Sequence, residues 1–209
     1  MNKLYHFCKM LVVFSVKFVA QLVGIVLGVV LVPIGLLFAD DSAKPYTYTT
    51  KDGSEWWLRR LPKWLLWWDN PIDGFLGDDQ FRWANRDIPF GIKNTSFLGQ
   101  VIWGAYRNPF NYFKRFVLSC DVRNRKVEKL AGADYVRDDF NSTGWQWLRC
   151  GNNYTVYWVR RWGKSNRAIV IQLGNKIKLA DNTTTYPPEQ EYKYFKGFTF
   201  EIQLFKDIS

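Results

Sequence analysis

Four carboxylates, Asp69, Asp73, Asp78 and Asp79, crowd the segment Trp68-Asp69-Asn70-Pro71-Ile72-Asp73-Gly74-Phe75-Leu76-Gly77-Asp78-Asp79. Acidic clusters of this kind can hold a hard cation, and a pair of carboxylates flanking a glycosidic bond can act as acid and base. A calcium loop starting at Asp69 puts Asp73 fifth and Gly74 sixth, as that motif requires. It also puts Pro71 third and Gln80 twelfth, where ligands are needed, so an EF-hand is excluded. Asp-Asn-Pro and Asp-Gly form turns in which the Asp side chain accepts backbone N–H bonds. Turn architecture is therefore the expectation for Asp69, Asn70, Asp73, Gly74 and Asp78.

A second constellation is Trp103-Gly104-Ala105-Tyr106-Arg107-Asn108-Pro109-Phe110-Asn111-Tyr112, followed by Lys114 and Arg115. The guanidinium of Arg107 is a planar fork that fits carboxylate or phosphate, and the aromatics around it could stack on it or on a base. The expectation is that Arg107 pairs with one of the aspartates and ties the two loops together. Were the protein to bind nucleic acid, Arg107, Lys114, Arg115, Arg160 and Arg161 would be its phosphate contacts, but nucleic acid is not the favoured partner.

His6 is the only histidine, and Cys8, Cys120 and Cys150 match no metal-ligand spacing. This excludes a zinc site or a histidine-dependent triad in any domain after the first forty residues. Cys120 and Cys150 are expected to be buried free thiols. No cofactor or metal is expected, nor an enzyme; the enzymatic alternative is a carboxylate-based hydrolase acting on cell-wall glycan.

The pair of motifs, WWDNPIDGFLGDD at 67–79 and WGAYRNPFNYFKR at 103–115, resembles that of uncharacterised membrane-anchored proteins of tailed bacteriophages. Those proteins carry a Trp-Asp-Asn…Asp-Gly…Gly-Asp element and then an Arg-Asn-Pro-x-Asn element. The motif-bearing likeness covers under a fifth of the chain. It implies a viral origin and a host-membrane setting, without implying a reaction.

The elements around these motifs point the same way. Residues 18–39, FVAQLVGIVLGVVLVPIGLLFA, are 22 residues without a charge. As a helix they would extend about 33 Å, close to the hydrocarbon thickness of a bilayer. The run is longer than the apolar core of a signal peptide, and Leu37 is not the small residue a cleavage site needs, so an uncleaved anchor is expected. Lys3, Lys9 and Lys17 precede the span, and Lys17 is placed to snorkel to the headgroups. The lysines nearest the span favour an internal N terminus, which would put the following domain outside the cytoplasm.

Residues 40–55 read as a polar linker. The next stretch, WWLRRLPKWLLWW, reads as a helix with Trp57, Leu61, Trp64, Leu65 and Trp68 on one face and Arg59 and Lys63 turned away. Such a helix would lie in the membrane interface, with Trp57, Trp64, Trp67 and Trp68 at the headgroups. After Tyr112 the pattern changes to short β-branched and aromatic runs, NYTVYWVRRW, RAIVIQLG, NKIKLA and FKGFTFEIQLF, an antiparallel meander. Segment 181–191 should project from it as a polar loop.

The expected fold class is α+β: an N-terminal transmembrane helix, a short Trp-rich interfacial helix, and a mainly antiparallel β domain. The expected segments are a flank and anchor over 1–39, a linker over 40–55, a Trp-rich region over 56–111 and the β domain over 112–209. With 29 Lys and Arg against 19 Asp and Glu, the chain carries +10 and favours phosphate-bearing partners, anionic lipid included. The reading is a single-pass protein of the host inner membrane whose partners are the bilayer and a host or phage membrane protein. It would alter the envelope during infection, for example by superinfection exclusion. A virion or DNA-ejection component is the alternative.

Overall fold

The computed structural model describes residues 2–39, 47–49, 55–57, 61–65, 67–68, 89–92, 96–102, 104–105, 111–136, 143–163 and 165–207. The chain groups into two compact units, Met1–Phe18 with Leu118–Ser209, and Val19–Val117. The long helix α1 (Lys3–Leu37) contributes to both. An N-terminal apolar helix followed by antiparallel sheet is the expected α+β class, but the units cut across the expected segments.

Helix α1 starts well before the apolar span. Three lysines punctuate its first half, yet His6, Met10, Phe14 and Lys17 recur at spacings of four, four and three, which is one face of a helix. Burial of that face carries the helix through the charged positions. Pro33 sits inside the last turns, where only one intrahelical donor is lost. The helix closes by tightening: Phe38 N–H donates to Gly35 O at 3.2 Å and Ala39 N–H to Leu36 O at 3.3 Å.

In the Val19–Val117 unit, β1 (Thr47–Thr49) pairs antiparallel with β2 (Glu55–Trp57), Tyr48 opposite Trp56. Short helices α2 (Phe97–Ile102) and α3 (Asn111–Phe116) follow. The expected helix over 56–68 is not present. Glu55–Trp57 is a strand, and the chain from Pro62 onward makes a single 3-10 turn, Lys63–Leu65. Pro62 donates no hydrogen bond and constrains the residue before it, so a helix cannot run through it undisturbed. Its carbonyl instead accepts Leu65 N–H at 2.8 Å, and Leu65 O accepts Trp68 N–H at 2.9 Å. These turns bring Leu61, Leu65 and Trp68 into one buried cluster with Val32, Leu36 and Ala105. Gly28 allows the close approach, since a Cβ there would run into the Trp68 ring.

In the other unit, a five-stranded antiparallel sheet has the order β4-β5-β6-β7-β9, from β4 (Val127–Gly132), β5 (Gly144–Cys150), β6 (Asn153–Arg161), β7 (Arg167–Asn175) and β9 (Phe198–Asp207). A small second ladder joins β3 (Cys120–Asp121) to β8 (Phe195–Lys196). One face of the large sheet contributes Leu148 and Cys150 to a core with Cys120, Val122, Val127 and Ile177. The opposite face carries Trp147 and Tyr154, which bury Met10 of α1. The sheet is thus sandwiched between loop-and-turn segments and the first half of the helix.

Two expectations in this unit need correction. NKIKLA is not a strand: Ile177 turns inward to the core, its N–H bonded to Asn175 O at 2.6 Å, and a 3-10 turn follows at Leu179–Asn182. Segment 181–191 does not project freely either. Asn182 Oδ1 accepts Val127 N–H at 2.6 Å while its Nδ2 donates to Val127 O at 3.0 Å, so its amide acts as a one-residue strand partner for β4.

Candidate functional site

The defining geometry is the seam between α1 and the sheet. Lys17 Nζ donates to Leu118 O at 2.7 Å, Asn153 Oδ1 at 2.6 Å and Asn175 Oδ1 at 2.9 Å. The ring of Phe198 lies 5.7 Å away. An ammonium has three donors, and all three are used on neutral oxygens. Asn175 is held in turn, its Nδ2 donating to Leu118 O at 3.0 Å and Lys196 O at 2.8 Å. Lys17 was expected to reach for headgroups; instead it turns into the protein, where three oxygens accept its donors and burial pushes its pKa down to about 8.

At the other end of the seam, Arg149 Nη1 lies 3.3 Å from His6 Nε2, and His6 Nδ1 lies 3.0 Å from the Tyr154 hydroxyl. Arginine can only donate, so Nε2 accepts and Nδ1–H donates to Tyr154. Between the two ends, Phe14 sits against Gly174, whose φ of +100° and lack of a Cβ leave room for the ring.

Lys17 and His6 thus bind residues 3–17 and the sheet into one body. The helix Lys3–Leu37 that carries them is long and apolar enough to cross a membrane.

A separate open cleft of about 700 Å³ is lined by Arg123, Asn124, Arg125, Lys126, Asp181, Asn182 and Tyr194, among others. Arg123 is engaged by Asp121, at 2.8 Å, and by Glu191, and its hydrogen bonds hold the Asp121 carboxyl below the usual carboxylate range. Asp181 is paired with Lys196 at 2.7 Å. The acids near the cleft are thereby committed, while Arg125 and Lys126 are exposed on the turn. The cleft suits an anionic group. Its signal in the sequence is the basic run Val-Arg-Asn-Arg-Lys at 122–126, which matches no ligand-binding motif.

Cys120 and Cys150 are both fully buried and free. A hydrogen bond to Cys150, together with burial, pushes the Cys120 thiol well above its ordinary range. Among the described residues, no group of three or more His, Cys, Asp or Glu is placed to hold a metal ion.

Asp69, Asn70, Asp73, Gly74, Asp78, Arg107 and Asn108 lie outside the described residues. Trp57 ends β2 and Asn111 begins α3. Lys114 and Arg115 are half-buried in α3, in one unit, while Arg160 is exposed and Arg161 half-buried at the end of β6, in the other. Trp64 and Trp67 are exposed, as interface residues must be, whereas Trp68 is fully buried, its Nε1–H donating to Gly104 O at 3.1 Å. Trp68 is therefore a core residue: its indole donor is satisfied inside the protein.

Residues 6–209 match a family of unknown function, DUF7338. The chain belongs to that family. The DUF7338 match opens at His6, so it takes in the stretch of α1 that packs on the sheet as well as the sheet itself. No curated protein and no solved structure matches this DUF7338 chain.

Proposed function

We propose that this DUF7338 protein is phage-encoded, sits in the inner membrane of the host, and acts there by interaction rather than catalysis to alter the envelope during infection, superinfection exclusion being the specific form. The observation that carries this reading is the build of α1. Its first half is locked into a β domain by Lys17 and His6, and the uncharged run that follows is long and apolar enough to enter a bilayer. In this reading the first half of α1 belongs to the β domain and the apolar second half is its anchor. The two motifs at 67–79 and 103–115, through their likeness to phage proteins, supply the setting.

In this reading a chain that enters the bilayer after Phe18 returns to the same side before Leu118. The cluster of Leu61, Leu65 and Trp68 with Val32 and Leu36 would accompany the apolar half of α1. Expression of the protein alone in host cells tests the proposal, scored by fractionation and by resistance to infection. Membrane recovery with resistance is expected; a soluble protein without phenotype overturns it.

One observation favours a second reading, a DNA-ejection component: the cleft presenting Arg125 and Lys126. Purified virions containing the protein, and DNA binding that weakens as salt rises, would favour it over the first.

A further inference from the structure

The path of α1 across the sheet leaves a defined apolar area uncovered. His6 meets Tyr154 on β6, and Met10 packs with Trp147 on β5. Phe14 reaches Phe198 on β9 with ring centroids 5.9 Å apart, and Phe18 reaches Phe200 at 5.1 Å. The helix therefore leaves the sheet over β9, which is an edge strand.

The register then fixes what the helix covers. Trp147, Val156, Leu173 and Phe200 are directly paired across four strands, and this row lies under or beside α1. The next row on the same face is Trp145, Trp158, Ile171 and Ile202. It is as apolar as the first, yet Trp145 is 46% and Ile202 54% exposed. Beyond it, Leu204 is 53% and Phe205 66% exposed, and Trp162 stacks on Phe205 with rings 12° from parallel. A sheet face normally reserves such rows for a core.

We infer that this uncovered face, the row from Trp145 to Ile202 with Leu204, Phe205 and Trp162, rests on the lipid surface into which α1 runs. The inference deepens the membrane reading and rests on it. Two features choose lipid over a second copy of the chain. The face adjoins α1 at the Phe18–Phe200 contact, where the uncharged run of the helix begins. Its far rim carries Arg160 and Arg167, Arg167 standing directly opposite Asp207 on β9, while Arg161 and Lys206 share the other face with Ala168; the cations on this rim suit anionic headgroups. The Trp162 indole also ties the hairpin of β6 and β7 to β9, its Nε1–H donating to Leu204 O at 2.7 Å. An edge strand whose backbone groups need partners belongs at headgroup depth, with side chains reaching inward, rather than in the hydrocarbon core.

Alternation along β9 gives the test its control, because Gln203 points to the opposite face from Ile202. In a Cys8→Ser background, Ile202→Cys and Gln203→Cys are each labelled with an environment-sensitive fluorophore. The full chain is reconstituted into phosphatidylethanolamine–phosphatidylglycerol vesicles with and without nitroxide-tailed lipid. Co-flotation with vesicles reads the membrane proposal by itself. Given co-flotation, the label at 202 should lose about half its emission or more to the nitroxide and the label at 203 little, as expected for side chains just below the headgroups. Equal and weak quenching at both positions overturns the lipid seat while leaving the membrane proposal standing. Disulfide formation between unlabelled Ile202→Cys copies without quenching overturns it in favour of a second copy.

Discussion

The ammonium of Lys17 donates to the side-chain oxygen of Asn175 at 2.9 Å, joining a residue near the N terminus to one near the end of β7. Removal of that charge leaves three oxygens facing an apolar end. Lys17→Met is expected to lower stability by about 1–3 kcal/mol, the range for buried acceptors stripped of a donor. Denaturant unfolding in detergent measures it, and hydrogen exchange at β6 and β7 should report the loss locally. Unchanged stability would mean that the seam is held by apolar packing alone.

Gly174 supports the same seam from the sheet side. Gly174→Ala is expected to cost about 1–3 kcal/mol, because a side chain at positive φ is strained and the added Cβ meets the Phe14 ring. A Phe14→Ala, Gly174→Ala pair should show the coupling: the ring clash is relieved while the closer one with the Tyr154 backbone oxygen stays, so the double variant is somewhat less damaged than the sum of the single ones.

The two tryptophans of the 61–68 segment should behave oppositely. Trp68→Ala opens a cavity in the cluster around Val32 and Leu36, with an expected loss of about 3–5 kcal/mol. Trp64→Ala, at an exposed position, should move stability by less than about 0.5 kcal/mol. If Trp64 lies at headgroup depth, its loss appears instead as weaker vesicle partitioning.

Thiol reactivity sorts the cysteines. Under native conditions at mildly alkaline pH, alkylation should modify Cys8 alone, because Cys120 and Cys150 are buried and the Cys120 thiol resists ionisation. After denaturation all three should react. Mass spectrometry reads the count directly, and native modification of Cys150 would contradict the packing of this core.

The sequence made some of this legible and hid the rest for physical reasons. The apolar run showed the helix, and β-branched alternation showed β6, β7 and β9. The start of α1 was hidden because His6 and Lys17, which read as a hydrophilic flank, occupy its buried face and are satisfied by Tyr154, Asn153 and Asn175, far along the chain. The 56–68 stretch has a genuine helical period, but pairing of β2 with β1 and the constraint at Pro62 override it. Strand β4 is short, ends at Gly132 and shifts register between Lys129 and Ala131, and β5 opens on Gly144, so their alternation is weak in the sequence. The Asp69–Asp79 and Arg107–Asn108 motifs lie outside the described residues, so the expected Arg107 ion pair is untouched by these findings. Beside the cleft at Arg125 and Lys126, Arg123 is engaged by Glu191, a pairing across 68 residues that spacing does not reveal.

Residues 3–17 and the β domain form one body, and in the proposed membrane setting both lie on the same side. Cys8 supplies an exposed thiol on α1, and Asn166→Cys in a Cys8→Ser background supplies one in the exposed turn between β6 and β7. Intact cells are treated with a membrane-impermeant maleimide before and after permeabilisation. The account predicts that the two positions share one behaviour, both labelled in intact cells or both only after permeabilisation. Labelling of one from outside and the other only after permeabilisation would contradict it.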